Sequence, residues 1–218
     1  MAQLPPNRWD FPPVDSWPDD DVVCIGADLE PSTLIDAYSR GLFPMYVDRK
    51  HTKLSWWSPT SRGILRQGDI RVTRSLRQSR KRFTVTLNVA FNDVIASCAG
   101  VSRTGGWITD DIIDAYQELH RLGFAHSVEV WNHAGELVGG LYGVRLRKFF
   151  AGESMFHRER DASKVALWFL VELMELDDMS LLDTQWATDH LRSLGVSEVS
   201  RTEYLGLLGV AVTPGPLT

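Results

Sequence analysis

Three polar side chains in the second half of the chain stand among apolar neighbours where they could do chemistry. The segment Leu181-Leu182-Asp183-Thr184-Gln185-Trp186 reads as a buried strand. Strand periodicity puts Asp183 and Gln185 on one face with Leu181, while Leu182, Thr184 and Trp186 point the other way. A carboxylate and an amide side by side on a central strand must be hydrogen-bonded if buried. Two readings follow: a structural polar network, or an acid and amide pair that handles a proton and the charge developing on an oxygen. Glu153, within Gly152-Glu153-Ser154-Met155-Phe156, is a third acid in apolar company and invites the same two readings.

A second constellation is cationic. Arg71, Arg74, Arg77, Arg80, Lys81 and Arg82 place six cations within twelve residues on what reads as a short helix. Arg74, Arg77 and Lys81 fall at i, i+3 and i+7 and so share a face. On a chain of net charge -5 such a cluster points to a polyanion, the alternative being a solvated helix face. Tyr38, Trp56, Trp57 and Trp107 could stack bases, each worth roughly 1 to 3 kcal/mol on single-stranded nucleic acid, or could be core.

The elements that must position these residues follow from patterning. With 218 residues, 44% hydrophobic and 23% charged, the chain can bury a substantial core. No segment approaches the roughly 20 apolar residues of a membrane span, and no charged stretch with an apolar run opens the chain, so a cytoplasmic protein is expected. Cys24 and Cys98 lie far apart, as small hydrophobes do in a reducing compartment. The proline- and tryptophan-rich opening reads as extended chain with turns around one helix, started by Glu30-Pro31 and ended by Gly41 and Pro44. Trp56-Trp57-Ser58-Pro59 reads as a boundary, giving a small N-terminal domain over 1–60 and a larger one over 61–218. Beyond it helices and strands alternate in an α+β pattern. A strand is expected over Phe83–Leu87 and a helix capped by Thr109 or Asp110 with Ile112, Ile113, Tyr116 and Leu119 on one face. A hairpin over His126–Val144, sheet at Phe149–Ala151, a helix over Asp161–Leu176 and a last helix with a Ser200/Glu203 capping box complete the series.

Several chemistries have no residues to carry them. The six histidines show no metal-ligand spacing and no HExxH, and neither GxxxxGK[ST], GxGxxG nor GxSxG occurs. No metal, ATP or dinucleotide cofactor is therefore expected. Gly139, Gly140 and Gly143 fall within a strand, where glycine signals close packing.

Nine blocks in one order resemble the bacterial leucyl/phenylalanyl-tRNA-protein transferases. They are Gly26-Ala27-Asp28-Leu29, Tyr38-Ser39-Arg40-Gly41-Leu42-Phe43-Pro44, Trp56-Trp57-Ser58-Pro59, Trp107-Ile108-Thr109, the run from His126 to Trp131, Leu137 to Val144, Gly152 to Phe156, Ala162-Ser163-Lys164 and Asp183-Thr184-Gln185. The resemblance implies a small N-terminal domain followed by a GNAT-like acyltransferase domain. It implies transfer of leucine or phenylalanine, and less readily methionine, from aminoacyl-tRNA to proteins beginning with arginine or lysine, which marks them for degradation. It implies no cofactor, and a monomer is expected. Position by position, it makes Asp183 and Gln185 the catalytic pair with Glu153 beside them, and sets Tyr38, Trp107 and Tyr116 around the terminal adenosine. Leu141, Phe150, Met155, Leu167, Leu170 and Leu182 would line the side-chain pocket, and Arg74, Arg77, Arg80, Lys81 and Arg82 would face the tRNA. Where some members carry a tryptophan after the Phe-Pro pair, Met45 and Tyr46 stand here.

An aminoacyl ester is already activated and an α-amine has a pKa near 7.7 to 8.0, so such an enzyme needs mainly to position its reactants. Asp183 could accept a proton from the amine or only orient it, and Gln185 could donate to the carbonyl oxygen. Competing readings are an acyl-coenzyme A enzyme, which lacks a glycine-containing phosphate loop at Arg160-Asp161-Ala162-Ser163, an aminoacyl-tRNA enzyme acting on cell-wall peptide, and an RNA-binding module that leaves the three polar residues unexplained.

Overall fold

A computed structural model describes residues 4–48, 50–101 and 106–213. After a single 3-10 turn at Val14–Ser16, the order is β1 (Val22–Ile25), α1 (Pro31–Ser39), β2 (Phe43–Tyr46), β3 (Leu54–Trp57), β4 (Ser61–Arg66), α2 (Arg74–Arg80), β5 (Thr84–Leu87), α3 (Phe91–Ala99) and α4 (Asp110–Arg121). There follow β6 (Ala125–Trp131), β7 (Leu137–Leu146), β8 (Phe149–His157), α5 (Ala162–Leu176), β9 (Leu181–Gln185), α6 (Asp189–Ser193), β10 (Ser197–Ser200) and α7 (Arg201–Val212). A three-stranded sheet runs β1-β3-β2, and a seven-stranded sheet runs β10-β4-β9-β8-β7-β6-β5. The pairings are antiparallel except that of β8 with β9.

The local chemistry explains most of these boundaries. Pro31 opens α1, and the chain leaves it through Gly41 at φ +84°, a left-handed turn that glycine adopts without cost. In α4 the buried stripe is Ile112, Tyr116 and Leu119. Thr109 is the N-cap residue, but its hydroxyl bonds the Asp111 carboxylate and not a backbone N–H. The Ser200 hydroxyl accepts from the Glu203 N–H at 3.2 Å, yet the Glu203 carboxylate turns to Arg66 at 2.9 Å, so only half of the capping box forms. In the β6–β7 hairpin the Asn132 side chain accepts from the N–H groups of Ala134 and Glu136, both at 3.0 Å. A methyl group at Gly139 would stand 2.5 Å from that of Ala162, and one at Gly140 would stand 2.7 Å from the Val128 carbonyl, the close packing that glycines in a strand signal.

Two expectations need correction. The opening segment up to Trp57 is not only turns and one helix: it supplies the three strands of the small sheet, with Trp56 and Trp57 on the central one. Trp56 is fully buried and its indole N–H donates to the Gly26 carbonyl at 2.8 Å. β8 also runs beyond Ala151 to His157, drawing Glu153 into the sheet.

Both faces of the large sheet are covered. One carries α2 and α5, whose Val165, Leu170 and Met174 pack with Leu65, Val130 and Leu182; each such side chain contributes about 1.5 to 3 kcal/mol. The other carries α1, α3, α4 and α7 over a core that joins Phe11, Leu34, Tyr38 and Trp56 to Tyr116, Phe149 and Tyr204. The opening third is thereby continuous with the sheet's own core. No helix among the described residues is long and apolar enough to cross a membrane.

Candidate active site

The parallel strands β8 and β9 pair only from Phe149↔Leu181 to Ala151↔Asp183. Beyond that point they part, and the opening holds a cavity of about 430 Å³, within the usual range for small-molecule sites. Gly152 to Met155 of β8 and Thr184 and Gln185 of β9 form its edges. Leu141, Leu167, Leu170 and Leu182 give it an apolar wall, and Phe43, Pro44, Met45, Trp107, Trp186, Thr188, His190 and Leu191 complete it. β9 ends abruptly because Gln185 sits at φ +55°, a left-handed backbone that costs a non-glycine residue roughly 1–2 kcal/mol. Gly63 permits this approach: a methyl group there would stand 2.7 Å from both the Thr184 hydroxyl and the Ala187 nitrogen.

Among the described residues that line the cavity, Glu153 is the only acid. Its Oε1 accepts from Gln185 Nε2 at 3.2 Å and its Oε2 from the Tyr116 hydroxyl at 3.2 Å. Behind Tyr116, the Tyr38 hydroxyl hydrogen-bonds that of Tyr116. Burial pushes the Glu153 carboxyl up to about 8. The Asp183 charge pushes the same way, while the two tyrosine hydroxyls and Arg62 pull it back.

Asp183 does not reach the cavity wall. Fully buried, it accepts from Arg62 Nε at 2.9 Å and the Gln185 N–H at 2.8 Å on Oδ1, and from Arg62 Nη2 at 2.5 Å and the Tyr204 hydroxyl at 2.9 Å on Oδ2. Burial alone would push the Arg62 guanidinium down, but the Asp183 carboxylate outweighs it and holds the group charged. Arg62 also donates to the Gly41 carbonyl at 3.2 Å and lies over the rings of Tyr204 and Phe43. Left-handed Gln185 breaks the alternation of β9, so Thr184 and Gln185 both face the opening while Asp183 faces Arg62. Sequence reasoning missed Arg62; an arginine leading into Gly63-Ile64-Leu65 was the available signal.

The remaining site residues divide. Trp107, Leu141, Met155, Leu167, Leu170 and Leu182 line the cavity, whereas Tyr38, Tyr116 and Phe150 do not. The two tyrosines have 1% and 0% of their surface exposed, buried between α1, α4 and the sheet, so no base can stack on them. Phe150 is buried among residues of the α5 side of the core. Met45 lines the cavity, while the Tyr46 hydroxyl bonds Asp111; partial burial and that carboxylate push its phenol up to about 12. Trp186, unremarked in the sequence as a site residue, stands at the rim with its indole N–H on Asp21 at 3.2 Å and its ring edge-on to Phe43.

The basic run also divides. Arg74, Arg77 and Lys81 are exposed, Lys81 closing α2 in helical geometry so that the shared face persists. Arg80 is bound to Glu172 through two hydrogen bonds of 2.6 and 2.7 Å and lies over Trp168. Arg82 donates to the Ser79 hydroxyl at 3.2 Å and lies over Phe83. At the start of α5, Asp161 adopts φ +70° and its carboxylate accepts from Ser79 at 2.8 Å, with Lys164 at 3.2 Å. A negative charge therefore occupies the helix entrance at which a coenzyme A pyrophosphate would need donors.

Comparison with known proteins meets this geometry from another direction. The family described as leucyl/phenylalanyl-tRNA protein transferase matches residues 64–209, and its N-terminal domain matches residues 27–60. A leucyl/phenylalanyl-tRNA–protein transferase of Maridesulfovibrio salexigens is 47% identical over 207 residues, covering 93% of this chain and 85% of that protein. One of Rhizorhabdus wittichii is 50% identical over 188 residues, covering 84% and 75%. Among solved structures, L-PGS from Bacillus licheniformis covers 59% of this chain and 46% of its own at a TM-score of 0.43 and 11% identity, too loose a likeness to bear on the fold. On the strength of the family match over both segments and of these relatives, the chain belongs to the leucyl/phenylalanyl-tRNA-protein transferase family.

Proposed function

We propose that this chain transfers leucine or phenylalanine, and less readily methionine, from aminoacyl-tRNA to the N-terminal arginine or lysine of acceptor proteins, creating a degradation signal. The observation that carries this reading, beyond family membership, is an apolar cavity whose one acid among the described residues, Glu153, is hydrogen-bonded to Gln185 at its edge. We further assign the chain a small N-terminal domain over 1–60 and a GNAT-like aminoacyl-transfer domain over 61–218, in support of which the cavity opens where two parallel strands part.

In the reaction the acceptor's amine nitrogen attacks the ester carbonyl carbon. The new C–N bond forms, the ester C–O bond to the ribose breaks, and the proton leaving nitrogen ends on the ribose oxygen. Glu153 is the group assigned to take up and return that proton, since a carboxyl that titrates near 8 is matched both to the amine and to the working pH. One hydrogen of Gln185 Nε2 is held by Glu153, and the other is assigned to the carbonyl oxygen as charge develops there. Asp183 acts one step back: it fixes the Gln185 backbone and is neutralised by Arg62. The leucine-lined wall takes an apolar side chain, admits unbranched methionine and offers a charged one no partner. Trp107 is assigned to the terminal adenosine, and Arg74, Arg77 and Lys81 to the tRNA backbone.

The test is to incubate the protein with radiolabelled leucyl-tRNA, differently labelled acetyl-coenzyme A and a peptide beginning with arginine. Leucine label in the peptide is the expected result. Acetyl label there, or none, refutes the proposal.

A further inference from the structure

Tyr38 and Tyr116 have no access to substrate, and phenylalanine would fill their space equally well, so their hydroxyls need a separate account. Each is fully buried, and the two come from α1 and α4, 78 residues apart, to hydrogen-bond one another. The Tyr116 hydroxyl then donates to Glu153 Oε2. A buried carboxylate needs donors for its lone pairs if it is to exist as an anion at all. Arg62, the nearby cation, makes its ion pair with Asp183. The groups that face Glu153 are thus Arg62 of β4, Asp183 and Gln185 of β9, Tyr38 of α1 and Tyr116 of α4, whose ring packs edge-on against Tyr142 of β7. Of these, Gln185 lines the cavity, whereas neither tyrosine does, so the tyrosine pair supplies the hydroxyl donors on the side of the carboxyl away from the cavity.

We infer that Tyr116, backed by Tyr38, is a positioning residue that sets how readily Glu153 takes up and releases its proton and keeps that carboxyl turned toward the cavity. The inference deepens the function proposed above and rests on its assignment of Glu153. Hydrogen bonds to the charged form favour ionisation. Both hydroxyls lower the proton affinity of Glu153 against the burial that raises it. Removing either hydroxyl therefore leaves Glu153 protonated to higher pH.

The experiment compares wild type, Tyr116→Phe, Tyr38→Phe and Glu153→Gln. Single-turnover transfer is followed from pH 6 to about 9.5, and in parallel the carbonyl stretch of protonated Glu153 is titrated by infrared difference spectroscopy against Glu153→Gln, with thermal melting as the folding control. The expected result is an inflection displaced upward by about one pH unit in Tyr116→Phe and displaced upward also in Tyr38→Phe, in rate and spectrum alike. A structural role alone would lower the amplitude or the melting temperature and leave the inflection in place. Wild-type infrared titration in both tyrosine variants overturns the inference. If Glu153→Gln transfers with the wild-type pH profile while the infrared titration still moves, the assignment of Glu153 as proton acceptor fails and the tyrosine role stands.

Discussion

Asp183→Asn is an almost isosteric change with a large expected penalty. Oδ1 of Asp183 receives Arg62 Nε and the Gln185 N–H, and Oδ2 receives Arg62 Nη2 and the Tyr204 hydroxyl. Turned toward the Oδ1 side, an asparagine NH₂ meets two N–H donors, Arg62 Nε and Gln185 N; turned toward the Oδ2 side it meets Arg62 Nη2, with only the Tyr204 hydroxyl able to accept from it. Either way the guanidinium of Arg62, with 1% of its side chain exposed, is left without a counter-ion. Removing one partner of a buried ion pair costs about 3 to 5 kcal/mol. For a protein of this size 1 kcal/mol moves the melting temperature by roughly 2 to 4 °C, so a fall of about 6 to 20 °C is expected. Arg62→Met should cost a similar amount, and the double variant much less than the sum of the two, because each single change strands the other partner. The assay is calorimetry together with single-turnover transfer per mole of folded protein. Glu153→Gln serves as contrast: it should lose transfer by about a hundredfold to ten-thousandfold with little loss of melting temperature. An Asp183→Asn protein that melts like wild type yet transfers nothing would refute this reasoning and place Asp183 in contact with the reactants.

Three further outcomes are expected. Leu170→Ala, at a wall position 3% exposed, should cost about 2 to 5 kcal/mol and raise the ratio of phenylalanine to leucine transfer, measured with mixed charged tRNAs. Replacing Arg74, Arg77 and Lys81 with alanine should flatten the salt dependence of tRNA affinity by about 0.7 to 0.9 in log–log slope per lost phosphate contact, while Arg80→Ala, which breaks the Glu172 pair, should change melting more than slope. Glu153 holds its proton in the folded state up to about pH 8 against 4.5 for the ordinary carboxyl, so this group's contribution to stability falls as pH rises through that window. Melting temperatures from pH 5 to 8 should show a slope that Glu153→Gln reduces.

The sequence made α1, α4, α5 and the β6–β7 hairpin legible because each is set by local chemistry: Pro31 and Gly41, the stripe through Tyr116, the apolar run, the turn at Asn132. It also singled out Asp183, Gln185 and Glu153, since acids and amides in apolar runs need partners. It could not show which of them faces the cavity. That depends on the left-handed backbone at Gln185, which a strand pattern of period two does not contain, and on Arg62, which lies 121 residues from its partner. Arg80 shows the same limit: helical spacing counts it with its exposed neighbours, but Glu172 and Trp168 claim it in the fold.

The polar cluster beneath the cavity draws on α1, β4, α4, β8, β9 and α7, so its members span Tyr38 to Tyr204. Arg62 is synthesised 121 residues before Asp183, and Tyr204, which also donates to Asp183, comes later still, on α7. The order of synthesis therefore differs from the order of contact: a chain truncated before α7 lacks Tyr204 and so one of the two donors on Asp183 Oδ2, although the Arg62–Asp183 pair is already present.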